Sequence, residues 1–351
     1  MIEPQPATDR REWRRQARGR RWAAVGGLLA GLVAAPASAA LEADLTRPDS
    51  DAPTRVELGL YLADLYEISG PDQTFLADVV LRAEWLDPRL AGRWPGLHGV
   101  GLDEIWNPRL QVVNQRGVSA TLPQRVEVDP SGRVSYRQRW WGRFSVRLDL
   151  KDFPFDRQRL HFQVVSLGYT RDEVELALSA AAVRSGRAPE LSITDWDVGP
   201  AEVKPADLEP VPGVEPLAGA ELEWEARRRS GYYGVQVILP LVLIVLMGWT
   251  ALWVDPSVVT TRVSVSMTTM LTLIAYRFAL GRSVPNLAYL TRFDYFMLAS
   301  TVLVFLVVAY MAVGARLVAK GRAPLVHRLD VWARVGFPVV FAAAFVWAWW
   351  G

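Results

Sequence analysis

The sequence predicts an all-β, immunoglobulin-like sandwich followed by a bundle of four transmembrane helices, and three observations carry that expectation. From about Leu41 to Arg229, short runs of alternating apolar and polar residues are separated by turn signals such as Ser69-Gly70-Pro71-Asp72 and Asp129-Pro130-Ser131-Gly132. After Arg229, four stretches carry no charge: Tyr232 to Val254, Val263 to Tyr276, Tyr295 to Ala315 and Val335 to Gly351. Of the 351 residues, 51% are hydrophobic, which is high for an average soluble domain and low for a chain embedded throughout a bilayer.

The start of the chain reads as a targeting segment. Arginines from Arg10 to Arg21 precede an apolar stretch, Trp22 to Ala35, and the small residues Ala37-Ser38-Ala39. A signal peptide is expected over 1–39, with the sandwich over 40–229 exported to the periplasm or cell exterior of a bacterial inner membrane. An anchoring first helix is the alternative, but the stretch is short and glycine-rich for a span.

Within the sandwich, Arg125-Val126-Glu127-Val128 and Arg143-Phe144-Ser145-Val146-Arg147-Leu148 put apolar side chains on one face and charge on the other, as a half-buried sheet requires. The membrane domain, 230–351, is expected to hold helices at about 232–254, 258–281, 294–318 and 331–350, against a bilayer core of about 20 residues. Four spans return the C-terminus to the outside. Trp347, Trp349 and Trp350 then form an outer aromatic belt, and Arg316, Lys320, Arg322 and Arg328 lie in a short cytoplasmic loop. Arg227-Arg228-Arg229 sits on the wrong side for the positive-inside rule and calls for a structural reason.

Composition excludes several chemistries. Lysine plus arginine (39) nearly cancels aspartate plus glutamate (37), so no basic field exists to hold nucleic acid. There is no cysteine, and His98, His161 and His327 are far apart in sequence, which leaves no support for thiol chemistry, a metal site or a cofactor. No paired base and nucleophile suggests an enzyme.

The second span, bounded by Arg262 and Arg277 and rich in hydroxyls, is not expected to face lipid. At helical spacing it aligns Ser264, Thr268, Leu271, Ala275 and Phe278 on one stripe, polar in its inner half. Hydroxyls can replace part of an ion's hydration shell, and a ring of Leu271 or Phe278 about a narrow axis can dewet and block flow. Serines and threonines also serve as interhelical glue in ordinary bundles, so the stripe alone leaves both readings open. A water-filled pathway needs several copies of the one such helix around a rotation axis, hence a cyclic homo-oligomer of unstated count.

Asp149-Leu150-Lys151-Asp152-Phe153-Pro154-Phe155-Asp156-Arg157-Gln158 resembles the signature loop of the Cys-loop receptors. Val146 and Leu160 stand where the family's bracketing cysteines would be, as is similar to prokaryotic members that lack the disulfide. Trp85-Leu86-Asp87-Pro88-Arg89-Leu90 resembles the family's Trp-x-Asp-x-Arg-Leu strand, and Trp106-Asn107-Pro108 its Trp-x-Pro element. Arg227-Arg228 with Tyr232-Tyr233 and Pro240 resembles the start of its first membrane helix. Arg262-Val263-Ser264 through Thr268-Thr269-Met270-Leu271-Thr272 resembles its pore helix, and Pro285 its outer linker. The resemblance, from roughly Val56 to Trp350, implies a pentameric ligand-gated channel with the sandwich as sensor.

It further implies that Phe153, Pro154, Asp156, Arg228 and Pro285 couple sandwich to pore, with an Asp156–Arg228 charge-assisted pair at the junction. Val80, Val113 and Leu167 stand where amine-gated relatives carry an aromatic box, and the loop from Val203 to Ala220 has no aromatic residue, which argues against a choline-like agonist. Arg139 and Arg143 could present guanidinium to a carboxylate ligand, although an edge strand kept soluble by charge would look the same. Opening such a channel takes about 5.5 kcal/mol of differential binding, or about 1.1 per subunit over five, so a weak small molecule or a proton would suffice.

At the inner mouth the chain has Thr260, Thr261 and Arg262 where cation-selective relatives place glutamate. With Arg282 at the outer end, this leans toward anions or poor selectivity. The expected partners are other copies of the chain, membrane lipid, inorganic ions and an unidentified agonist. The competing reading is a pentameric receptor that does not conduct.

Overall fold

The computed structural model describes residues 45–178, 186–208, 215–280 and 288–350. The expected signal peptide, Arg282, Pro285 and the side chain of Trp350 lie outside the described residues.

The first part of the described chain is two packed sheets. Its strands are β1 (Thr54–Ser69), β2 (Thr74–Leu86), β3 (His98–Gly101), β4 (Leu110–Val112), β5 (Gln115–Ala120) and β6 (Arg125–Val128), then β7 (Arg133–Ser145), β8 (Arg157–Thr170), β9 (Val174–Leu178), β10 (Gly186–Arg187), β11 (Trp196–Leu208) and β12 (Leu217–Arg228). One sheet runs β10-β1-β2-β7-β6-β3, with β5 also on β7 and β9 also on β1; the other runs β11-β12-β8-β4.

Alternation sets the register. Along β7 the residues from Val134 to Phe144 bury every second side chain, and the strand pairs antiparallel with β2 from Thr74↔Ser145 to Leu86↔Arg133. A one-residue slip would turn Phe144 to solvent, so the core side fixes the pairing. The β6–β7 turn is built by Asp129, whose Oδ1 accepts from Ser131 N (2.8 Å), Ser131 Oγ (2.6 Å) and Arg133 N (3.0 Å). Gly132 closes it at φ +83°, and a Cβ there would lie 2.5 Å from Asp87 O.

Aromatic rings fill the space between the sheets. Phe75 meets Phe144 and Trp224 at 5.3 Å, and Phe144 meets Phe162 at 5.3 Å. Toward the other end, Trp85 and Trp106 pack edge-on at 6.0 Å, and Trp106 Nε1 donates to Tyr169 Oη at 2.9 Å. Val146 and Leu160 are both buried, so apolar packing occupies the positions flanking the 149–158 loop. Asp87, 1% exposed, receives Arg89 Nε at 2.9 Å and Nη2 at 2.8 Å, which satisfies a buried carboxylate inside the Trp85-to-Leu90 segment.

Four helices long and apolar enough to cross a membrane follow: Gly231–Trp253, Val259–Leu280, Arg292–Ala319 and Ala323–Trp349. In the first, Leu239 N donates to Gly234 O, a widened turn just ahead of Pro240, and Tyr276 Oη of the second helix donates to Val237 O at 2.7 Å. The first two helices approach closely where Gly248 faces Thr269; a Cβ at Gly248 would stand 3.2 Å from Thr269 Cγ2. The third starts with a capping box, Thr291 Oγ1 and Asp294 exchanging bonds with each other's backbone N–H.

The fourth helix differs from the expectation, beginning at Ala323 rather than near Val331. The loss of apolar character before Val331 comes from His327, Arg328 and Asp330, which the helix carries without breaking. Asp330 is fully buried, with its charge met by another helix, so its presence does not mark a loop.

Candidate pore and gating junction

The second helix buries one side and leaves the other without a partner inside the chain. Arg262, Ser266, Thr269, Leu273 and Leu280 are buried, whereas Thr260, Thr261, Ser264, Thr268, Leu271, Ala275 and Phe278 are exposed. Leu271 is 69% and Phe278 81% exposed, on a helix whose opposite side packs against its neighbours. The five residues of the expected stripe therefore share one open face, hydroxyls toward the Val259 end and large apolar side chains toward the Leu280 end.

Arg262 is a correction. Expected beside Thr260 and Thr261 at the mouth, its guanidinium is turned away from the open face and meets Asp330 of the fourth helix at 2.6 Å, with the two side chains 5% and 0% exposed. The reason is helical phase: Arg262 falls on the same side as Ser266, Thr269 and Leu273. Asp255, in the turn before this helix, accepts from Ser257 Oγ at 2.6 Å and Ser257 N at 2.8 Å, and these bonds hold its carboxyl below the usual range.

Where the sandwich meets the helices, Arg228 at the end of β12 and Asp156, the loop residue just before β8, are 8% and 1% exposed. Arg228 Nε donates to Asp156 Oδ1 at 2.8 Å and Nη2 to Oδ2 at 3.3 Å, while Gln158 Nε2 donates to Oδ2 at 2.8 Å. The guanidinium lies 4.2 Å from the Trp196 ring centroid, 5.1 Å from Phe153 and 5.9 Å from Tyr233. This buried setting is the structural reason for an arginine on the outer side of the first span.

Phe153, held by the Phe153–Pro154 peptide in the cis form, enters the core of the helices and meets Tyr233 at 4.9 Å and Phe293 at 6.3 Å. Around it the loop is tied to the third helix and the segment before it. Leu150 N donates to Tyr289 Oη at 3.0 Å, Arg292 N to Lys151 O at 2.8 Å, and Arg292 Nε pairs with Asp152 at 2.7 Å. Arg292 Nη1 also reaches Trp349 O at 2.7 Å, and Phe155 packs on Trp349 at 5.0 Å. A cavity of about 400 Å³ opens there, lined by Asp152, Phe155, Ile238, Arg292, Phe345 and Trp349. Sequence reasoning did not single out Tyr289 or Arg292, and it pointed to Trp349 only as part of an outer aromatic belt.

Residues 43–197 match the model of the neurotransmitter-gated ion-channel ligand binding domain, and residues 237–344 match that of the neurotransmitter-gated ion-channel transmembrane region. The chain belongs to the neurotransmitter-gated ion-channel family. It is similar to a proton-gated ion channel of Gloeobacter violaceus, 26% identical over 306 residues that span 85% of this chain and 83% of that one. It is also similar to a gamma-aminobutyric acid receptor subunit beta of Caenorhabditis elegans, 26% identical over 266 residues, 71% of this chain and 46% of that one. As a cysteine-free member of this ligand-gated channel family, the chain is a membrane protein with an extracellular sandwich and not an enzyme.

In this family member the residues expected at the ligand site do not form one cluster. Val113 and Leu167 are exposed at neighbouring strands of the β11-β12-β8-β4 sheet, whereas half-buried Val80 lies on β2 of the other sheet, opposite Arg139. Both arginines offered to a carboxylate ligand already hold carboxylates of this chain. Arg139 Nε donates to Asp78 Oδ1 at 2.8 Å, a bond that raises its pKa, and Arg143 Nη2 meets Glu67 at 2.9 Å. Of the 203–220 segment, 203–208 and 217–220 are paired strand, and 209–214 lie outside the described residues.

Proposed function

We propose that five copies of this chain assemble around an axis lined by their second helices, and that the assembly conducts small ions when a ligand or a pH change acts on the exported sandwich. The carrying observation is the open stripe of Ser264, Thr268, Leu271, Ala275 and Phe278 on a helix that buries Arg262, Ser266, Thr269, Leu273 and Leu280 on its other side. Exposed hydroxyls are poorly placed toward lipid, and hydroxyls followed by Leu271 on one face suit a hydrated path with an apolar constriction. A non-conducting receptor of the same shape would gain nothing from hydroxyls on that face.

Phe153, Pro154, Asp156 and Arg228 carry motion of the sandwich to the helices in this reading, because they join the end of the last strand to the start of the first span. The membrane is a bacterial inner membrane, with the sandwich on its outer side. The stimulus is a small extracellular molecule or a proton; the similarity to a proton-gated channel supports the second. The inner mouth offers Thr260 and Thr261 hydroxyls rather than carboxylates, which supports a pore that prefers anions or discriminates poorly.

Current across a planar bilayer holding purified protein, under a salt gradient and scanned over pH and a small-molecule panel, tests this. Gated current that opens more readily in Leu271→Ser is expected. Silence in both forms, with protein shown to be inserted, contradicts it.

A further inference from the structure

Asp330 stands inside the membrane domain, on the fourth helix, with no exposed side-chain surface. It receives Arg262 Nη2 at 2.6 Å and Tyr310 Oη at 2.6 Å on the same oxygen, Oδ1. Its other oxygen and Arg262 Nε are buried without a hydrogen-bond partner, so the ion pair is single-pointed rather than bidentate. A charged residue so placed in a span is expensive even when paired, which makes it a candidate for a functional role. One turn further along, Arg334 Nε donates to Leu252 O at 3.0 Å, its guanidinium lies 4.7 Å from the Trp253 ring, and Trp249 Nε1 donates to Arg334 O at 3.0 Å. The fourth helix is therefore clasped to the first just where Asp330 has to be held.

Arg262 directly follows Thr261 and precedes Ser264 by half a turn, and both of those side chains lie on the open face. Its long flexible stem would let the guanidinium swing toward the hydrated mouth if nothing retained it. We propose that Asp330 is a selectivity-setting positioning residue: it draws the Arg262 guanidinium to the outside of the pore helix and keeps a ring of positive charge off the inner mouth. Repeated about an axis, that ring would dominate the local field and concentrate anions. The inference rests on the pore reading above and adds to it the residue, distant in sequence, that sets the charge of the mouth.

The test is the reversal potential of full-length protein in planar bilayers under a KCl gradient, for wild type, Asp330→Asn and the double variant Arg262→Met/Asp330→Leu. Asp330→Asn is expected to raise the chloride-to-potassium permeability ratio by on the order of tenfold. The double variant, which replaces a buried pair by apolar groups of similar size, is expected to keep the wild-type ratio. A tie that merely holds helices together would alter expression or stability without moving the ratio. Asp330→Asn channels with the wild-type ratio overturn the proposal. So does a double variant shifted toward potassium, which would show that the Arg262 charge already acts on the pore; this arm decides even where Asp330→Asn fails to assemble. Silence of every form, wild type included, removes the pore reading and this inference with it.

Discussion

Arg228 Nε and Asp156 Oδ1 meet at 2.8 Å with side chains 7% and 1% exposed, joining the last strand of the sandwich to the loop whose Phe153 enters the membrane core. Removing one partner leaves the other charge buried and unmatched, at a cost of about 3–5 kcal/mol. Asp156→Asn and Arg228→Gln should each lower thermal stability in detergent by that order and raise the stimulus needed for half-maximal current. Arg228→Lys should fail to restore either, because an ammonium cannot donate through Nε and Nη2 or lie flat over Trp196.

The Arg292–Asp152 pair, at 2.7 Å, is the control for this argument, since its side chains are 36% and 59% exposed. Exposed pairs contribute about 0–1 kcal/mol. Asp152→Asn is expected to leave the unfolding temperature nearly unchanged. A loss as large as that of Asp156→Asn would show that exposure does not separate the two pairs.

Phe153→Ala tests the loop's hold on the helices. The side chain is 1% exposed and packs on Tyr233 and Phe293, so truncation should cost about 3–5 kcal/mol by lost burial and the cavity left behind. Phe153→Leu should recover most of it. Differential scanning fluorimetry of the three forms reads the order directly.

Glu223 carries a signed pH dependence. The Lys204 ammonium, donating at 2.6 Å, holds its carboxyl below the ordinary glutamate value. A depressed folded-state pKa contributes stability that is present above the unfolded value of about 4.3 and lost as pH falls through the lower folded value. The wild-type advantage over Glu223→Gln should therefore be full at pH 7 and fade only in strong acid. Because this carboxylate stays charged in mild acid, Glu223→Gln should leave any opening between pH 5 and 7 unaltered; a displaced activation curve would place Glu223 in proton sensing.

The sandwich and the spans were legible because their signals are local: alternation along β7, and uncharged runs after Arg229. The phase of the stripe was legible too, since spacing by three and four fixes one face of a helix wherever it packs. What sequence could not supply was partners across long separations. Asp330 is 68 residues from Arg262, and Asp78 is 61 from Arg139. Without strand register and helix packing, those arginines read as free charge at a mouth or a ligand site. Asp330 falls just before the expected fourth span, 331–350, and nothing local marks it as a paired charge inside one.

The central claim is that Ser264, Thr268, Leu271, Ala275 and Phe278 face water on a conducting axis, and the absence of cysteine allows it to be tested on an unmodified background. Single substitutions Ser264→Cys, Thr268→Cys and Leu271→Cys, beside Ser266→Cys and Thr269→Cys on the buried side, would be exposed to a charged, membrane-impermeant thiol reagent during current recording. Block at the first three with no effect at the last two is the predicted result. Block at Ser266→Cys and Thr269→Cys with none at the stripe would contradict the account.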